Sequence, residues 1–586
     1  MIKKPGLLVV VILLVAGIAL YPKWRQLQVN VPAYRDPGKI VLLDQGWTAA
    51  QRQEFHHTAQ GTRLVPYAWF QALEEPCFLG CEAFARQEYL GRFGFLAGDR
   101  DASLNPDGLP IGLARQTDFH DPVSGKDYAV LGLTCAACHT GELQYENHAV
   151  RIEGGVAMIQ PTAFQKALGI SLILTEMLPW RYSKFEAKVL GAGSTEAARA
   201  ELKEALTAFV GKAKKEVAFI QTNNLYPNDA GFGRTDALTR IGNQVFAADM
   251  DAPDNYAVSN APVRFPQVWD ASWFTWVQYN SSIADPLVRN IGEALGVRAM
   301  AKLYGRDAKE FKSSIKMDSL KRLEDLLAGE TPFTGLRSPR WPEVFPALDA
   351  AKVAFGAKLY QQHCAGCHLP PIEELKQDLA SSAPRYWVSN ETGKRFLDLK
   401  DVKVDDVGTD PRQALDFMAR TAETGALGKG KVSAAAGLEI VTRGIRDQYF
   451  AKMAFSPAQK LEWMGYREET APAVRSEAIY KARPLNGVWA VAPYLHNGSV
   501  PSLFELLASK EDRGKPEFWM GSRRFDPLKV GYEQGPLEGG NKFDYSLPGN
   551  NNSGHWFQNG ARGAGVVGPA LSVADRWALV EYLKSI

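Results

Sequence analysis

Two Cys-x-x-Cys-His segments, an amphipathic helix running into the second of them, and another amphipathic helix at the C-terminus set the expected fold class of this 586-residue chain. It reads as mainly α-helical, with two cytochrome c-like haem domains, long loops and helical insertions. Hydrophobic residues make up 46% and charged residues 23%, close to a globular average, which excludes a disordered chain, a collagen-like repeat and a multi-span membrane protein. Lys plus Arg is 67 against 65 Asp plus Glu, a net charge of +2. That balance leaves no electrostatic footprint for nucleic acid. The chemistry must come from elsewhere, and the six cysteines point to it.

The chain opens Met-Ile-Lys-Lys and continues with an apolar run from Gly6 to Tyr21. A basic start and a run of this length, short of the roughly 20 residues of a full span, read as an export signal. Gly17 and Ala19 offer only a weak cleavage site. Residues 1–25 are therefore a signal peptide or a membrane anchor, with residues 6–21 holding the chain to the inner membrane if uncleaved. The remainder is expected to be periplasmic or secreted.

The cysteines fall into three pairs. Cys135, Cys138 and His139 form Cys-Ala-Ala-Cys-His, and Cys364, Cys367 and His368 form Cys-Ala-Gly-Cys-His. Two thiols at this spacing add across the two vinyl groups of one porphyrin, and the adjacent histidine supplies the proximal iron ligand. A zinc site would place its Cys-x-x-Cys units close together in the chain, and a redox pair would need a βαβ context. Neither condition is met, so two covalently attached haem c groups are expected. Cys77 and Cys81 have no histidine beside them and fit a local disulfide.

Two domains follow: residues 30–340 around the first haem and 341–586 around the second. In the second, Ala351–Gln362 has helical apolar spacing and runs almost directly into Cys364; Leu571–Ile586 reads as a closing helix with Ser572 and Asp575 as a capping box. Gly535–Gly554 is loop-like, rich in Gly, Asn and Pro. In the first domain an amphipathic helix is expected near Ser194–Lys215. The apolar block Ala167–Trp180 reads as core, with an access path for an apolar substrate or a membrane contact as the alternative.

Nine histidines are present. His555 lies in the loop before the last helix, where a sixth ligand to the second haem is expected; His496 is the other candidate, with a bracing role as its alternative. A bis-His iron is saturated and suits electron transfer. For the first haem no equally placed ligand is visible. His148 is too close to His139, while His56, His57, His120 and His363 read as structural. An iron with an open position is what O2 or peroxide activation requires.

The stretch from Lys481 to Leu503, with Ala-Pro-Tyr-Leu-His-Asn-Gly-Ser at its centre, resembles the signature of the dihaem cytochrome c peroxidase superfamily. The segments His56–Thr62, Pro66–Phe70, Asn260–Asp270 and Gly554–His555 are similar to the branch containing the rubber oxygenases and the dihaem fatty-acid dioxygenases. The resemblance implies that the first haem, on His139, is the O2-binding reaction centre, that His368 and His555 hold the second, and that an aromatic residue lies between them. Trp269 is the candidate, with an ordinary core tryptophan as its alternative; apolar residues near Ile283 would form the distal face. The resulting expectation is an O2-dependent dioxygenase acting on a double bond of an apolar substrate, an unsaturated fatty acid or polyisoprene. H2O2 reduction, which wants a polar distal acid or base, and non-catalytic electron transfer are the alternatives. A periplasmic electron donor would be the protein partner.

Overall fold

The computed structural model of the protein describes residues 29–586, so the export-signal reading of residues 1–25 falls outside the described residues. Helix accounts for 39% and strand for 16%, with many small sheets. The mainly α expectation is therefore corrected to a mixed helical and strand architecture around a cytochrome c-like domain. The reason is local. Strands of two to four residues pair as ribbons inside the long connections, and segments so short carry no readable period. Two three-stranded sheets and seven two-stranded ribbons are present among the described residues.

β1 (Lys39–Leu42) is the edge strand of one three-stranded sheet and is followed in the chain by helix α1 (Ala49–His57). β2 (Val65–Pro66) and β3 (Leu113–His120) both pair antiparallel with β4 (Asp127–Leu133), with a register shift between Gln116 and Phe119. Alternation in β3 breaks at that shift: Gln116 and Phe119 are both buried, with Thr117 and Asp118 exposed between them. After one helical turn, α2 (Ala136–His139), the chain forms the hairpin of β5 (Thr140–Tyr145) and β6 (His148–Glu153), and β1 adds parallel to β6. The hairpin turns through Glu146 at φ +51°, a position where Asn or Gly would ordinarily announce the turn. β6 is buried on both faces.

Helices then cover this scaffold. α3 (Pro161–Met177) contains most of the apolar 167–180 block, and Ala167, Leu168 and Leu172 belong to the main core. Only its end, Met177 and Trp180, is exposed. α4 (Pro179–Leu190) and α5 (Glu196–Thr222) follow, the latter capped by Thr195 and burying Leu202, Leu206 and Val210. α6 (Pro286–Gly296) starts at Asp285, whose carboxylate accepts from the amides of Leu287 and Val288. α7 (Met317–Ala328) packs beside it. No described helix is long and apolar enough to cross a membrane.

Helix α8 (Ala350–His363) runs into α9 (Ala365–His368), β7 (Lys400–Lys403) pairs with β8 (Ile479–Ala482), and α10 (Ala434–Lys452) lies between them in sequence. The terminal helix α11 (Val573–Ser585) closes on α8, with the Ser572–Asp575 capping box formed. The crossing needs Gly356: a Cβ there would sit 2.1 Å from the Ala578 carbonyl oxygen. Tyr360 and Tyr582 pack beside it, ring centroids 5.2 Å apart. The larger hydrophobic core draws residues from Val31 to Leu583, and a second gathers Leu238 to Val474.

Candidate functional site

The first Cys-x-x-Cys-His segment is one tight turn. Cys135 O accepts from the amides of Cys138 and His139, at 3.1 and 3.0 Å. The turn is pinned from outside: the Thr134 hydroxyl donates to His56 O at 2.9 Å and the Thr134 amide to Gly112 O at 2.9 Å. At Gly112, φ is +90° and a Cβ would lie 2.3 Å from the Cα of Ala137, so only glycine allows this approach. His139 donates through Nδ1–H to Pro266 O at 2.8 Å. That bond fixes the tautomer and leaves Nε2 as the free donor atom. Burial holds the His139 pKa down to about 4, keeping the ring neutral.

The second segment repeats the design. Cys364 O accepts from the amides of Cys367 and His368. His368 donates through Nδ1–H to Arg483 O at 2.9 Å. Across from it stands His555, ring centroids 6.1 Å apart. Two imidazoles at that separation can share one metal ion, each nitrogen about 2 Å from it. His555 is held at φ +50°; its amide donates to Val407 O, and its carbonyl and that of Gly554 accept from Arg513 at 2.7 and 2.6 Å. Gly554 is required because a Cβ would come 2.3 Å from the backbone of Gly408 and Val407. Burial, with His368 and Arg513 nearby, lowers the His555 pKa to about 3.

Both segments open into one continuous cavity: Cys135, His139, Cys364, Cys367, His368 and His555 all line it. His496 lines it as well, but its ring stacks on Tyr480 at 4.3 Å. Trp269 is fully buried, does not line the cavity, and gives its indole N–H to Asn486 O at 3.1 Å. Ile283 is buried behind the wall in a bridge to Val277, and Val277 faces the cavity in its place. His56 bonds Glu153 at 2.8 Å, His57 bonds Leu113 O and Asn105, and His120 pairs with Asp127 at the surface. His363 lines the cavity beside Cys364. Cys77 and Cys81 are joined by a disulfide.

Sequence reasoning did not find the polar wall near the first segment. Helix α6 turns Arg289, Asn290 and Glu293 into the cavity, and Gln278 donates to Glu293 at 3.0 Å. Burial raises the Glu293 pKa from its ordinary value, against the opposing effects of Arg289 and Gln278. Arg289 is paired with Glu324. The sequence carried no signal for it, because Arg289, Asn290 and Glu293 form the polar face of an amphipathic helix and so read as solvent-facing.

The residues fit a haem. None of Cys135, Cys138, Cys364 and Cys367 is in a disulfide, and Cys135, Cys364 and Cys367 line the cavity, as attachment of a haem through thioether bonds requires. Arg264, Arg289 and Arg483 line the cavity, and Glu293 is the one acidic side chain among the lining residues, an excess of cations that suits an anionic porphyrin. Buried polar atoms such as Tyr279 OH and Arg483 Nε have no protein partner. Among the described residues no cluster of three or more His, Cys, Asp and Glu side chains could hold a bare metal ion.

Residues 479–520 match a family model described as RoxA-like, cytochrome c-like. A domain of that kind implies covalently bound haem c. The chain is 40% identical to the uncharacterized protein y4iJ of Sinorhizobium fredii (strain NBRC 101917 / NGR234), covering 99% of each chain. A second uncharacterized protein of that organism, y4iM, is 48% identical over 68 residues, 11% of this chain and 14% of that one.

Proposed function

For a chain that belongs to the same family as y4iJ and carries a RoxA-like cytochrome c domain, we propose the function of an exported dihaem c-type oxidoreductase, an O2-dependent dioxygenase acting on a double bond of an apolar substrate. It falls in the dihaem peroxidase superfamily, on the rubber oxygenase and fatty-acid dioxygenase side. The observation that carries this reading is an asymmetry. His368 faces a second histidine, whereas the cavity wall near Cys135 and His139 offers Phe55, Val277, Gln278 and Glu293. A haem held by Cys135, Cys138 and His139 would supply the binding and activation of O2 or peroxide.

The chain's own residues do the rest. Cys135 and Cys138 fix the group covalently, and His139 is held in one tautomer by Pro266. Phe55, Val268, Phe274, Val277 and Leu327 give the cavity an apolar lining that favours an alkene and excludes water. Cys364, Cys367, His368 and His555 form the electron-transfer site, which a periplasmic donor would serve. Export follows from the basic and apolar start of the chain, with residues 6–21 as signal or anchor.

A second reading, H2O2 reduction, is favoured by the Gln278–Glu293 pair. Glu293 is a carboxyl of raised pKa in the cavity, able to take a proton from one oxygen and return it to another. Oxygen-electrode traces of the as-isolated protein separate the two. Uptake with an unsaturated fatty acid or a polyisoprene emulsion, without reductant, is the expected outcome. No uptake with either, together with H2O2 consumption from a reduced cytochrome donor, would replace the first reading by the second.

A further inference from the structure

The two proximal histidines are oriented by two short segments that are laced to each other. Residues 266–270 carry the Pro266 carbonyl that fixes His139, and residues 483–486 carry the Arg483 carbonyl that fixes His368. Arg483 donates from Nη1 to Gln267 O at 2.8 Å and from Nη2 to Trp269 O at 3.4 Å. Trp269 Nε1 donates back to Asn486 O at 3.1 Å, and Asn486 Nδ2 donates to Asp270 Oδ2 at 2.7 Å. With bonds running in both directions, neither segment can shift without the other. Arg483 is also a cation facing the cavity that both histidines line.

We infer that Arg483, helped by Asn486, is a positioning residue shared by both sites, coupling the orientation and the redox potential of the groups held by His139 and His368. The inference rests on the reading that both segments carry haem. Two physical effects support it. The carbonyl that accepts the Nδ1–H of an imidazole sets the ring's angle and the basicity of its other nitrogen. A buried positive charge favours the state that has gained an electron, so one guanidinium near both groups raises both potentials. Trp269 then acts as part of the lacing, through its indole N–H and its carbonyl.

The test is a spectropotentiometric titration of the holoprotein, with haem content measured on the same samples. Arg483→Gln is expected to move both midpoint potentials to more negative values. Arg483→Lys keeps the cation and is expected to return both toward the starting values, which also guards against a variant that merely folds badly. Asn486→Ala removes only the bond to Asp270 and is expected to alter the absorption spectrum of the His139 group. A shift confined to the His368 group in Arg483→Gln, or an unchanged His139 spectrum in Asn486→Ala, would overturn the inference. Fewer than two haems per chain in the unmodified protein would instead overturn the two-haem reading, and the inference with it.

Discussion

The His139 and His368 sites are nearly the same object up to the imidazole and different objects beyond it. In both, a single turn presents two thiols and a histidine, and a backbone carbonyl accepts the Nδ1–H. Beyond that plane, His368 meets His555 at 6.1 Å between ring centroids. The His139 side opens onto aliphatic and aromatic side chains and the Gln278–Glu293 pair. The thiols and histidine of each near half lie in five consecutive residues, whereas the carbonyl that braces the histidine and the groups of the far half come from segments more than a hundred residues away. Attachment is therefore local, and reactivity is decided by the long-range part of the fold.

The largest effect is expected from erasing the difference. His555→Ala should open the His368 site, so that the reduced protein binds carbon monoxide at both irons instead of at His139 alone. A CO difference spectrum titrated to saturation reads this directly, and unchanged stoichiometry would mean that another residue supplies the sixth ligand. Next comes the polar wall of the other site. Glu293→Gln should lower H2O2 reduction about a hundredfold or more, the usual worth of a placed acid–base group, while leaving substrate-driven O2 uptake in place. Loss of both activities would make the carboxylate common to the two chemistries.

A smaller effect, confined to the His368 half, is expected at the α8–α11 crossing. Gly356→Ala drives a methyl group into the Ala578 carbonyl and should cost about 1–3 kcal/mol of stability, read by chemical denaturation of the holoprotein. The smallest concerns pH and separates the two halves by how they are braced. The His139 turn hangs on His56, which is bonded to buried Glu153; that carboxylate's pKa lies below its ordinary 4.5 because His56, Arg151 and Arg52 offset its burial. A lowered folded pKa gives stability that is present above the unfolded value and lost as pH falls through the folded one. Melting temperature should therefore fall below about pH 4.5, and less steeply in Glu153→Gln. His555 is braced by Arg513, a cation throughout that range, so the His368 spectrum should outlast the His139 spectrum on acidification.

Much of this was legible in the sequence, and the missing parts share a cause. The Cys-x-x-Cys-His turns, the helix before Cys364 and the capped final helix all depend on spacing within about twenty residues, whereas His555 and His496 were candidates taken from their loops. The structure puts both histidines in the cavity and turns His496 against Tyr480. The strands were not legible. β6 is buried on both faces and so has no alternation, its hairpin turns on a glutamate, and the ribbons are too short for a period. Glu293 and Arg483 were not legible either, because nothing in the sequence near them tells a cavity-facing charge from one on a solvated helix or strand.

The closing of α11 over α8 has a consequence for how the protein is made. Cys364 is buried, Leu583 of the last helix lines the cavity, and His555 arrives from a loop just upstream of that helix. A porphyrin cannot be slipped past this lid once it is shut. Thioether bonds at Cys364 and Cys367 would have to form on a chain whose C-terminal helix has yet to dock, which would give assembly a fixed order. Attachment would come first, on an open polypeptide, and the final helix would then seal the product.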